Sequence, residues 1–289
     1  NTIGTINGAA QFLLVGMFLG LAYWLVSAKG KKQLSVFLRI CIGATVISTV
    51  LLLFVLDFWV FWMILIVGVL VLGMFVFLQG AEFPESKRLI VPFVLLCLGV
   101  VMLFVSAPIQ IDLPLVVSPS YETSWSIAKQ ATGDSASSLF FGSGPGTYLF
   151  DYQLYKPVGV NGSAFWQTDF DRAKSWAMTL FATMGLLATA LWFLFIAWMG
   201  SKALGRLLVK KDKEQWKLVY VVFAGWIVSV VSHLFYSSNM TLQYLFWLLS
   251  GLLAAGLYTK IKEKKFSRAP RLGLVASLGF GVVAVLLLV

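Results

Sequence analysis

The chain has 289 residues, 60% of them hydrophobic and only 12% charged, with a mean hydropathy of +0.89 and a formal net charge of +10. A water-soluble domain cannot bury that much apolar surface, so that class is excluded and an integral membrane protein is indicated. The two cysteines, Cys41 and Cys97, sit inside apolar runs and imply neither a disulfide nor a metal site.

A helix crossing the roughly 30 Å hydrocarbon layer needs about 20 apolar residues. In chain order, eight runs answer to that description: Ala9–Val26, Leu34–Leu56, Phe58–Leu78, Leu89–Ser106, Trp176–Met199, Trp216–Tyr236, Thr241–Tyr258 and Leu272–Val289. Only Asp57 separates the second from the third, which leaves open a tight hairpin or one run wrongly divided. The expected fold is all-α: a polytopic transmembrane bundle of about eight spans, with one long loop, Ala107–Ser175, between the fourth and fifth. The whole is expected to be one transmembrane domain. It begins at Asn1 rather than Met and stops within an apolar run, as expected of a piece of a longer protein.

Positive charge orients the spans. If they alternate, all but four of the 22 Lys and Arg fall on one side. The four exceptions, Lys129, Lys156, Arg172 and Lys174, share the long loop. Alternation and charge therefore agree that both chain ends and this loop face outward. Positive-inside bias and anionic lipid account for the basic clusters, so no nucleic-acid partner is called for.

The loop carries too many aromatic residues for a solvated linker, Trp125, Phe140, Tyr148, Tyr152 and Phe170 among them. Within it, "SYETSWSIAKQATG" predicts a short helix capped by Thr123 or Ser124 and ending near Gly133, with Trp125 and Ala128 on one face toward the membrane surface. The stretch "FGSGPGTYLFDYQLYKP" from Phe141 is glycine-rich but lacks the Lys-Ser/Thr ending of a P-loop and the strand–helix setting such a loop requires. It is also on the side where nucleotides are not supplied. Two readings remain: a turn in which Gly142, Gly144 and Gly146 take unusual backbone angles, or a cradle for a phosphate that arrives on a lipid.

Four segments in register, "NTIGTINGAAQFL" at Asn1, "SWSIAKQA" at Ser124, "FGSGPGTYLFDYQLYKP" at Phe141 and "FDRAKSWAMTLFATMGLLA" at Phe170, together resemble the bacterial O-antigen ligase/polymerase family, over essentially the whole chain. The resemblance implies a membrane glycosyltransferase of the GT-C kind in the bacterial inner membrane, with its active loop on the outer face. The donor would be a polyprenyl-diphosphate-linked glycan and the acceptor a lipid, glycan or protein, with no cofactor and no metal.

A departing diphosphate needs positive charge and hydrogen-bond donors. Arg172, planar and able to bind two oxygens at once, is the first candidate contact; Lys174 is the second, and Asp171 beside them is the expected proton acceptor. Lys156, Gly144, Pro145, Gly146, Tyr148 and His233 are the candidate substrate-binding residues. The family pattern implies a histidine about eleven residues before the glycine at 185; Lys174 stands there instead. Asp171, Asp169, Asp57 and His233 all remain open as the base. A flippase for a lipid-linked substrate and a noncatalytic membrane scaffold are the alternatives.

Overall fold

The computed structural model describes residues 5–27, 35–83, 85–105, 118–162, 167–209, 213–258 and 277–278. All regular structure among them is helical. Among the described residues, six helices are long and apolar enough to cross a membrane: α1 (Ile6–Val26), α2 (Val36–Leu56), α3 (Trp59–Leu78), α9 (Trp176–Leu208), α10 (Lys213–Phe235) and α11 (Met240–Leu257). Between them come α4 (Ile90–Met102), α5 (Tyr121–Ala131), α6 (Ala136–Phe141), α7 (Tyr148–Tyr155) and α8 (Val158–Asn161).

Six of the eight expected spans coincide with these helices; of the other two, one is a shorter helix and one lies outside the described residues. The run read as Leu89–Ser106 is an α-helix over only 13 residues, α4. The run Leu272–Val289 lies outside the described residues apart from 277–278, as do the basic residues around 260–271. At Asp57 the open question is answered: it adopts a left-handed conformation (φ 40°, ψ 46°) and divides α2 from α3 as a tight hairpin.

The central packing is α1 against α10, flanked by α3, α9 and α11. Apolar burial is no driving force between helices already in lipid, so close fit and polar pairing must hold them. Both are present. A Cβ on Gly225 of α10 would come within 2.6 Å of Leu19 on α1, and the Trp226 indole donates to Ser250 of α11 at 2.9 Å.

The bundle has two distinct ends. At one, Arg88 donates to the Trp24 and Ser27 carbonyls, Gln79 to that of Leu208, and Lys213 pairs with buried Glu82 at 3.6 Å. The other end gathers the first turn of α1, Phe58, the 118–175 segment and Tyr236. Arg88 and Ser118 thus lie at opposite ends.

α9 is not continuous. Gly185 takes φ 71° and ψ −171°, a conformation outside any helix. Trp176 and Trp192 each pack 6.4 Å from the ring of His233, although sixteen residues of straight helix would separate them by about 24 Å. The helix folds back at Gly185. The first nine residues of α9 pack with α5, α6 and α7 into a second, smaller core that includes Ile127, Ala128, Tyr148, Tyr152, Phe170 and Ala182.

Helix α5 starts earlier than "SYETSWSIAKQATG" suggests. Ser120 caps it, accepting from the Thr123 N–H, whereas Ser124 is buried and accepts from the backbone of Lys174 at 2.9 Å. Ala128 is buried, and Trp125 stacks on Phe181 of α9 at 5.8 Å, so that face meets protein in addition to facing outward.

Candidate functional site

The turn Phe170–Ser175 leads into α9. It is fixed from both directions: Ser175 caps the helix by accepting from Met178, and the Ala173 N–H donates to Thr179 at 3.0 Å. With its backbone pinned, the turn aims Arg172 and Lys174 to different neighbours.

Arg172 grips Asp171 through both oxygens, Nε at 2.8 Å and an Nη at 2.5 Å, and its other Nη reaches the Ser238 carbonyl at 3.4 Å. That bidentate contact holds the Asp171 carboxyl below its usual range and raises the guanidinium further. Both residues line a cavity of about 90 Å³, walled by Thr5, Gly8 and Gln11 of the α1 end, Ser118 and Pro119, and Tyr236, Ser237 and Asn239. Pockets that enclose a whole small ligand run to roughly 300–1,000 Å³. This one is smaller than that range.

Lys174 stands behind that wall. Its ammonium donates to Ser118 at 2.8 Å and lies over three rings, Phe58 at 5.0 Å, Tyr236 at 5.5 Å and Tyr121 at 5.9 Å. Burial lowers its pKa, while the ring faces favour the charge. Burial also pushes Tyr121 up to about 12 and raises Tyr236, so both stay neutral phenols.

Tyr236 joins the two cations and was not anticipated from the sequence. Its hydroxyl accepts from buried Asn7 at 2.6 Å, its carbonyl accepts from the Trp176 N–H, and Gln11 donates to the next carbonyl, Ser237, at 3.2 Å. Asn7 and Gln11 are one turn apart on the same face of an otherwise apolar helix. That pairing was a usable signal for a polar site at the α1 end.

The remaining expected residues are placed elsewhere. His233 is buried in α10, its ring nitrogens near the Ser229 carbonyl (2.7 Å) and the Ser238 hydroxyl (3.2 Å), and Ser238 links it to Arg172. Asp169 accepts from Gln153 at 3.1 Å. Lys156 follows α7 and does not line the cavity.

Gly144, Pro145, Gly146 and Tyr148 are likewise not on the cavity wall. The glycine turn serves the broken helix. Gly142, Gly144 and Gly146 all have positive φ (73°, 124°, 75°), as the turn reading requires. The Ser143 and Gly144 N–H groups donate to the Ala182 and Thr183 carbonyls, at 3.1 and 2.8 Å. Those carbonyls lost their own helical donors at the break. Buried Asp151 accepts from the Ser143 hydroxyl at 2.5 Å, tying the turn to α7. Among the described residues, no three His, Cys, Asp or Glu side chains gather to hold a metal ion.

No family model, curated protein or solved structure matches the chain.

Proposed function

We propose that the chain is a membrane glycosyltransferase that moves a polyprenyl-diphosphate-linked glycan onto a lipid, glycan or protein acceptor. On this reading the end with Arg88, Arg206 and Lys213 faces the cytoplasm, by the positive-inside bias, and the Arg172 end faces outward from the bacterial inner membrane. The Ala107–Ser175 loop and both ends of the chain then lie outside, and about eight spans cross the membrane. One observation carries the proposal: Arg172 lines a cavity of about 90 Å³ at the end of a membrane bundle. A diphosphate headgroup on an isoprenoid fits that description, since only its head needs enclosing.

In the reaction, an acceptor hydroxyl oxygen bonds to the anomeric carbon as the carbon–oxygen bond to the diphosphate breaks. The bonding pair leaves with the diphosphate, where Arg172 stabilises it. In the resting arrangement Asp171 is engaged by Arg172 and is a weak base. A diphosphate that takes the guanidinium's fork releases Asp171, whose carboxylate then accepts the hydroxyl proton. Lys174 contributes its charge from behind Ser118 and Tyr236.

The flippase alternative draws on the broken α9, since transporters place ions at such breaks. Here the freed carbonyls of Ala182 and Thr183 are already taken by Ser143 and Gly144, which favours transfer chemistry at the surface.

The test is turnover of a purified lipid-linked donor. Arg172→Ala should lose about 10²–10³-fold in rate, the scale of removing a charge-stabilising donor. Arg172→Lys should lose most of that too, because a point charge cannot replace the fork. Normal turnover by Arg172→Ala ends this assignment.

A further inference from the structure

Between Ser135 and Tyr155 the chain makes a small hairpin, α6 and α7 around the glycine turn. Its mouth closes where the Tyr155 hydroxyl donates to Asp134 at 2.6 Å, and its tip is held on α9 by the two N–H bonds from Ser143 and Gly144. The inner face buries Tyr148, Asp151 and Tyr152. The outer face is an uncovered ridge: Phe140, Phe141, Phe150 and Leu154 are 47%, 65%, 67% and 73% exposed. Single exposed apolar residues need no explanation. Four large ones on one short element, whose only charged side chain, Asp151, is turned inward, do need one.

Two observations say what covers the ridge. The first is continuity. The tip meets α9 at Gly185, where a Cβ on Gly142 would come within 2.6 Å of the Gly185 nitrogen. The next residues, Leu186 and Leu187, begin an exposed apolar run that continues through Leu191, Leu194 and Trp198 along a candidate span. The second is height. From Gly185 to Lys202, the first charged residue toward the other end, seventeen residues of helix rise about 25 Å, and any tilt reduces this. The hydrocarbon layer is roughly 30 Å thick. With Lys202 at one boundary, the tip lies at or inside the other, and a lysine stem reaching outward makes up part of the difference.

We propose that the α6–α7 hairpin is seated, ridge first, in the acyl-chain boundary of the leaflet on the Arg172 side. Irregular backbone at that depth must have its polar groups satisfied by protein. Here the tip donates to the Ala182 and Thr183 carbonyls, and Ser143, Thr147 and Asp151 satisfy one another. Burial raises the Asp151 pKa, in keeping with a carboxyl turned away from water. Tyr152 on the inner face packs edge-on against Phe170 at 5.1 Å, next to Asp171 and Arg172. The lipid seat therefore sets the height of the cavity relative to the headgroups. This holds whatever reaction the cavity supports.

The experiment uses the full chain with Cys41 and Cys97 replaced and one new cysteine at a time carrying an environment-sensitive dye: Phe141→Cys, Phe150→Cys, and Ser137→Cys or Glu122→Cys as exposed polar controls. Each is placed, one copy per disc, in phosphatidylcholine nanodiscs with nitroxide on the headgroup or on the acyl chain. Dye at positions 141 and 150 should be quenched by the acyl-chain nitroxide at least about twofold more than dye at 137, and be shielded from aqueous iodide. Thermal unfolding of each variant confirms that the fold is intact. Equal iodide quenching at 141, 150 and 137 in folded protein overturns the proposal. So does shielding that appears only with several copies per disc, which would mean that a second copy covers the ridge.

Discussion

Replacing Gly142 by alanine tests the contact between the glycine turn and the broken helix. A Cβ there would lie 2.4 Å from the Thr183 carbonyl carbon and 2.5 Å from its oxygen, where ordinary contact begins at 3.4 Å. Both partners are backbone, so the turn must retreat by about 1 Å. A retreat of that size takes both the Gly144–Thr183 bond, now 2.8 Å, and the Ser143–Ala182 bond, now 3.1 Å, out of hydrogen-bond range. Two lost bonds cost about 0.5–1.5 kcal/mol each net. The left-handed backbone at φ 73° adds about 1–2 kcal/mol for a residue with a side chain. The sum is about 2–5 kcal/mol, or roughly 30- to several-thousand-fold in the opening equilibrium at 1.4 kcal/mol per decade.

Gly146 supplies the control. Its φ is 75°, yet a Cβ there meets nothing within 4 Å, so Gly146→Ala should suffer the backbone strain alone, about 1–2 kcal/mol. Hydrogen exchange of the Ser143 and Gly144 amides reads the difference directly. Exchange should accelerate at least about fivefold more in Gly142→Ala than in Gly146→Ala, the two lost bonds being worth about 1–3 kcal/mol together. Equal acceleration in the two variants would refute the reasoning, because strain would then be the whole effect and the backbone contact would carry nothing.

Sidedness can be checked with cysteines at Ser137 and Lys202 in a background lacking Cys41 and Cys97. An impermeant thiol reagent should label only position 137 in intact cells; labelling of 202 alone inverts the topology. Tyr236→Phe leaves the buried Asn7 amide without its acceptor, which should cost about 1–3 kcal/mol in thermal unfolding, while Tyr244→Phe, on an exposed ring, should be silent. Asp151 sets a pH dependence. Its raised pKa means the folded chain holds that proton to higher pH than the unfolded chain, so its contribution favours folding at low pH. That contribution fades as pH rises from the ordinary 3.8 through the raised value. Asp151→Asn should lack that decline in unfolding midpoint, and identical profiles would contradict the assignment. In the donor assay, Asp171→Asn should slow turnover by about 10²–10⁴-fold, and added chelator should have no effect.

Six of the spans were legible because lipid leaves a helix few choices: unbroken apolar length is nearly sufficient. Asp57 marked a boundary for the same reason, since a carboxylate does not stay in hydrocarbon. The break at Gly185 was not legible. "TLFATMGLLATAL" reads as uninterrupted apolar helix, and an isolated glycine is common in such helices. What breaks the helix is a tertiary event, Gly142 arriving from a segment more than forty residues earlier and giving the freed carbonyls new donors. The glycine turn itself was recognisable, because only glycine tolerates the angles it takes. Its purpose was not, because its partner could not be seen. The α5 start was misplaced for a related reason: Ser124 has the chemistry of a cap, but its hydroxyl is spent on Lys174.

In the candidate site, the Arg172–Asp171 pair was legible because it is local: neighbours on one turn need no fold to meet. Tyr236, Asn7 and Gln11 come from distant parts of the chain and meet only once α1 has packed on α10. Lys174 shows how a residue picked out in the sequence acquires surroundings that the sequence does not show. From sequence, a lysine two positions from an arginine at the head of a span is a second free cation for phosphate. In the fold, Phe58 arrives from the α2–α3 hairpin, Tyr121 from α5 and Tyr236 from the end of α10, and together they enclose the ammonium. A cation over ring faces keeps its charge with little water, so it can project field into a cavity without entering it. On the proposed reading two cations on one turn divide the work: Arg172 offers hydrogen bonds that a ligand must win from Asp171, and Lys174 supplies a charge that no ligand has to displace.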